Sequence, residues 1–169
     1  MSKVIMLGQR WIPLTDGVVV MVDPIGRLAL REGAKAYTAV MDVASKDGPE
    51  NVDARVAANM AYSIAIAKHT IRAWGYFSGE PGGVITPDQV DQGVFRDDAG
   101  HVLQPTPDAI EMLMADAVFL DAFDEIYVEP YVAARNEKNA SSPLPTGSSA
   151  GVETNTAERA SNSKAETAG

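Results

Sequence analysis

The stretch from Pro105 to Asn139 constrains this chain more than any other, because it reads as one helical run with a marked start and a marked end. Thr106 is a good N-cap, Pro107 suits the first helical position, and Asp108 complements the positive end of the helix dipole. Ile110, Leu113, Met114, Ala117, Leu120, Phe123 and Tyr127 follow at helical spacing. Pro130 removes a backbone donor and crowds the preceding turn, so a kink or restart is expected there, with a second break near Ala115-Asp116. After Glu137-Lys138-Asn139 the composition collapses to Ser, Thr, Ala, Gly and Pro, and Leu144 and Val152 are the larger apolar groups left. Such a segment cannot bury enough surface to offset its ordering entropy, so a disordered tail is predicted over 140–169 and a folded domain over 1–139.

Upstream of that run, residues 4–7 (VIML) read as a short strand or a mobile arm. Thr15-Asp16-Gly17 is a turn signal. Val18–Val22 is the best strand in the chain, short, rich in β-branched residues and bounded by Gly17 and Asp23-Pro24. Residues 23–33 have two readings. In one, Asp23-Pro24-Ile25-Gly26 is a tight turn and Arg27–Arg31 returns as a strand. In the other, Asp23 caps a helix with Pro24 at its first position. Ala34–Ser45 is helical in both, and Lys46-Asp47-Gly48-Pro49 stops it.

The next segment carries Val52, Val56, Met60, Ile64, Ala67, Ile71 and Trp74 in steps of three and four. That spacing predicts a helix with one apolar stripe, ending near Gly75, and its many Ala residues permit close approach of a second helix. Residues 76–105 are rich in Gly and Pro and read as loop, with a short helical turn from Thr86 and an exposed tip at Asp97–Gly100. The expected architecture is mainly α: a small helical domain with a short N-terminal β element at about 18–22 and a disordered tail.

Composition narrows the function classes. The chain has no Cys, which excludes disulfides and thiolate metal sites. Its net charge of −9 argues against general nucleic-acid binding, which needs Lys and Arg on phosphates, and suits a basic protein partner. No apolar run reaches the length of a membrane span, and the N-terminal apolar run is too short for a signal peptide. His69 and His101 lack ligand-type neighbours at metal spacing. Asp121 and Glu125 share a helix face, as acids four apart do, and read as a solvated surface or an acidic docking face. Gly79–Gly83 lacks the pattern of a phosphate loop. These features predict no enzyme, no catalytic residue, no metal and no cofactor. The aromatic residues are more informative. Trp74, Tyr76 and Phe77 cluster at one helix end, and Phe119, Phe123, Tyr127 and Tyr131 recur along another. They read either as packing between the two helices or as a partner-binding groove for a helix.

Several segments in order resemble the tail assembly chaperones of long-tailed bacteriophages, including those of prophages and gene-transfer-agent-like elements. Val20–Pro24-Ile25 resembles the family's N-terminal strand and the start of its first helix. Ile71-Arg72-Ala73-Trp74-Gly75 resembles the motif that closes its central helix. Asp97-Asp98-Ala99-Gly100 followed by Pro105-Thr106-Pro107 resembles the next loop and helix start. Phe119-Leu120-Asp121-Ala122-Phe123 and Tyr127–Pro130 resemble the last helix, and Glu137-Lys138-Asn139-Ala140-Ser141-Ser142-Pro143 resembles the terminus. The likeness covers roughly residues 18–150. Two departures stand out: a longer, Gly-richer loop after Trp74, and Ile25-Gly26 where a Thr/Ser pair is expected. The resemblance implies a chaperone that keeps the tape-measure protein soluble while the tail tube assembles. Its partners would be that protein and the tail tube subunit, a homo-oligomer is compatible with it, and no membrane is involved. It would act in the host cytoplasm and be absent from the mature virion. The alternative is a structural tail or head–tail connector component retained in the virion.

Overall fold

The computed structural model describes residues 8–44, 52–80 and 82–141. The segment at 4–7 and the tail beyond Ser141 lie outside these residues, as does the stop at Lys46–Pro49. Asp16 and Gly17 both take positive φ, 49° and 79°, as the central pair of a primed hairpin turn requires, and Asp-Gly is a favoured pair there. The turn joins β1 (Arg10–Pro13) to β2 (Val18–Val22) as an antiparallel hairpin, with Ile12 opposite Val20. Pro13 sits on the outer strand of the sheet, where a missing N–H is tolerated.

The expectation of a mainly α domain with one short β element is corrected by the rest of this sheet. It has four antiparallel strands in the order β1-β2-β3-β4, with β3 at Ile71–Phe77 and β4 at Val90–Asp91. Ile71 and Trp74, expected on a helix, belong to β3. The spacing 67, 71, 74 fits a helical stripe. It also fits a helix that stops at Thr70 and hands over to a strand. β2 decides between them. Val19, Val20 and Val22 are all buried, so the backbone N–H and C=O groups on the edge away from β1 have no water and need a partner, and Ile71–Tyr76 is rich in the β-branched and aromatic residues that suit pairing. Val20 faces Trp74 across the ladder, and a bulge falls between Met21 and Val22. Gly75 is a strand residue: a Cβ there would lie 2.5 Å from the Asp91 carbonyl oxygen, so β4 crosses close over it.

For residues 23–33 the helix is the outcome, but it starts late. α1 runs from Arg27 to Ala44, and no strand returns at Arg27–Arg31. α2 spans Val52–Thr70 and packs against α1 as a helical hairpin. The turn from Thr86 is one 3₁₀ turn at Pro87–Gln89 leading into β4. The loop tip closes with an isolated bridge between Arg96 and Val102.

The last helical run is segmented as its sequence suggests. In α3 (Pro107–Met114) the Thr106 hydroxyl accepts the Ala109 N–H at 3.3 Å. Asp116 restarts the chain as α4 (Ala117–Phe123), its carboxylate accepting the Val118 N–H at 2.9 Å. At Pro130 the expected kink or restart takes the form of a change of helix type. A π turn at Asp124–Val128 comes first, the Glu129 N–H reaches back to the Asp124 carbonyl, and α5 (Glu129–Ser141) carries on. The wider turn absorbs the ring that would otherwise press on the carbonyl four residues earlier. One core joins these layers: Ile12, Val20 and Trp74 from the sheet, Ile66 from α2, and Ile110, Met114, Leu120, Phe123 and Tyr127 from the last helices.

Candidate functional site

The seven aromatic residues read as helix packing or as a partner-binding groove divide between core and surface. Trp74, Phe123 and Tyr127 are buried in the core. The Trp74 indole N–H donates to the Leu103 carbonyl at 2.8 Å, and its ring lies 5.3 Å from that of Phe95. Phe123 and Tyr127 pack ring to ring at 5.1 Å, and the Tyr127 hydroxyl donates to the Asp23 carbonyl. Burial pushes the Tyr127 phenol up to about 12. These three residues hold the fold together. Phe77, Phe119 and Tyr131 are half-buried, and Tyr76 is exposed on β3.

The ionisable groups gather in structural roles. The Asp23 carboxylate accepts from Arg72 Nε at 2.5 Å and Gln9 Nε2 at 2.7 Å, and these partners hold its pKa below the usual value. This knot ties the end of β2 to β3. Asp124, beside Ser63, is pushed up by burial. At the loop tip the His101 backbone N–H donates to Asp97 at 2.8 Å, and the His101 ring lies 3.1 Å from the same carboxylate. The sequence reading missed that pair, although a spacing of four offered the signal. It staples a turn. Among the described residues, no three His, Asp or Glu side chains gather where they could hold a metal ion. A shallow cleft between β3 and the loop is lined by Arg72, Trp74, Gln92, Val102, Leu103 and Gln104 among others, and its lining offers no carboxylate, imidazole or hydroxyl.

The distal half of the α1–α2 hairpin is different. The expected stripe on α2 would turn Val52, Val56 and Met60 inward. The helix is rotated the other way: Ala54 and Ala58 are buried, while Val52, Val56 and Met60 remain 71%, 54% and 37% exposed. Small side chains inside let α1 and α2 approach closely, as do glycines, and Gly33 on α1 sits under the Tyr62 ring, where a Cβ would lie 2.9 Å from ring carbons. The larger residues, spaced four apart, therefore form an apolar ridge on the outside of α2. Val43, near the end of α1, is 64% exposed at the same end of the hairpin. α1 packs chiefly on α2, so the distal hairpin stands as an arm beside the core. A helix with apolar residues on opposite faces is built to be covered twice. The signal was legible as two interleaved apolar series, one of Ala and one of Val and Met.

No protein-family profile matches the chain, and neither does any curated protein or solved structure.

Proposed function

We propose that this chain is a non-catalytic binding protein that covers an apolar helical client with the outer face of its α1–α2 arm. The observation that supports this reading is the exposed Val52–Val56–Met60 ridge on a helix whose inner face is already filled by Ala54 and Ala58. Burying a Val or Met side chain fully is worth about 1.5–3 kcal/mol, so completing the burial of three half-exposed ones supplies on the order of 1 kcal/mol each. A client helix laid along the arm would find anchors at helical spacing, the groove-and-helix mode of recognition.

The biological setting we propose is tail assembly in a long-tailed phage, with the tape-measure protein as client. That setting rests on sequence resemblance. One of its segments, Ile71–Gly75, is a strand here and not the close of a helix, and helix binding by the arm does not depend on it. Co-expression tests the setting: an apolar helical fragment of a tape-measure protein, insoluble alone, is expected to stay in solution with this chain. Equal precipitation with and without the chain would overturn the proposal. Stoichiometric copies of the chain in purified particles, measured by mass spectrometry, would overturn the transient chaperone role in favour of a structural one.

A further inference from the structure

We infer that copies of this chain associate head to tail, through a basic ridge on α1 of one copy and an acidic ridge on the last helical run of the next. The basic ridge is Arg27, Arg31 and Lys35, all exposed and four residues apart, so they lie on one side of α1. It is an unusual feature for a chain of net charge −9. No acidic residue stands in the first turn of α1 to balance it. Glu32, partly buried beside the ridge, pairs with Arg31 at 3.3 Å and Lys35 at 2.9 Å. Arg27 makes no ion pair with any described residue. Leu28, 53% exposed, lies next to it.

The complement is carried by the same chain. Asp121, Glu125 and Glu129 are exposed and also four apart, running from α4 through the π turn into α5. None of them pairs with a cation among the described residues. Exposed Val118 and Val132 stand three residues before and three residues after this row. Each ridge takes eight residue steps, about 12 Å along α1, and the acidic one is somewhat shorter because it crosses the π turn. Within one chain they do not pair with each other. A second copy offers each ridge a partner of opposite sign and similar length. Because the two surfaces differ, a single contact leaves a free ridge on each copy, which allows further copies to add head to tail. Exposed ion pairs are individually weak and screened by salt, so the association is weak and strongly salt-dependent. It uses neither Val52, Val56 nor Met60, so it stands or falls separately from client binding.

Sedimentation velocity of the full chain over a concentration series tests it. At low salt the wild type is expected to form larger species that grow with concentration and dissolve at high salt. The variant Asp121→Lys/Glu125→Lys/Glu129→Lys is decisive, because it lowers the net negative charge. General repulsion predicts more association for it, whereas the ridge contact predicts none. Arg27→Glu/Arg31→Glu/Lys35→Glu is likewise expected to be monomeric. Mixing the two variants restores association, since each then supplies the ridge the other needs. Circular dichroism checks that both variants are folded. A wild type that stays monomeric at every concentration and salt would overturn the inference. So would a lysine variant that associates as well as the wild type, or a mixture of folded variants that stays monomeric.

Discussion

Gly33 shows how a single side chain sets the geometry of the arm. It lies within α1, where Gly costs about 1 kcal/mol relative to Ala. A Cβ there would meet the Tyr62 ring at 2.9 Å, and overpacking of this kind costs about 1–3 kcal/mol. The two effects oppose, and contact with both the ring and the Tyr62 backbone gives overpacking the larger share. Gly33→Ala is therefore expected to lower stability by on the order of 1 kcal/mol in urea unfolding, and a rise would show that Tyr62 moves freely. Asp124 makes a second prediction. Its native pKa is raised, chiefly by burial, so the folded state binds its proton more readily than the unfolded state does. Its contribution is harmless below the unfolded value and becomes a penalty as pH rises through the native one. Asp124→Asn, which keeps a partner for Ser63, should stabilise the protein at neutral pH, with the gain fading as pH falls through the carboxylate range. Parallel pH profiles for the two proteins would contradict this. Asp23 has the opposite sign. Its native pKa is lowered by Arg72 and then Gln9, so its stabilisation is full above the unfolded value and is lost as pH falls through the native one.

At the scale of elements, the caps and breaks were legible because they depend on neighbours in sequence. Thr106, Pro107 and Asp116 act where local chemistry puts them, and Thr106→Ala should cost about 1 kcal/mol. A smaller loss measured in thermal unfolding would mean that the Ala109 N–H finds another acceptor. Asp16-Gly17 likewise announces its hairpin. What was not legible depends on distant partners. Ile71–Phe77 follows a helix without a Gly or Pro between them, and pairing with β2 on one side and β4 on the other makes it a strand. β4 is two residues long and carries no pattern of its own. The break expected at Pro130, a kink or restart, is a π turn, a form the sequence did not announce; Tyr127 and Val128 are both buried there, and the widened turn keeps them in the core while making room for the ring. The aromatic residues were legible as important but not as core or surface. Burial resolves that for Trp74, Phe123 and Tyr127, which leaves the candidate surface to be found among aliphatic residues on α2.

At the scale of the whole molecule, a mixed core of sheet and helices supports an arm with an uncovered apolar side. That side must be dispensable for folding and necessary for binding. Val52→Glu/Val56→Glu/Met60→Glu is expected to leave the melting temperature nearly unchanged, since the positions are exposed and Glu favours helix more than Val does. The same variant should bind a neutral amphipathic helical peptide of Leu, Ala and Gln about a hundredfold more weakly, from about 1 kcal/mol lost at each of three anchors. The most direct test is photo-crosslinking of that peptide to chains carrying p-benzoylphenylalanine at single positions. Val56 and Met60 are predicted to crosslink, whereas Met112, which is 77% exposed on α3, is predicted not to. Equal crosslinking at Met112, or none at Val56 and Met60, would contradict the claim that the arm holds the client.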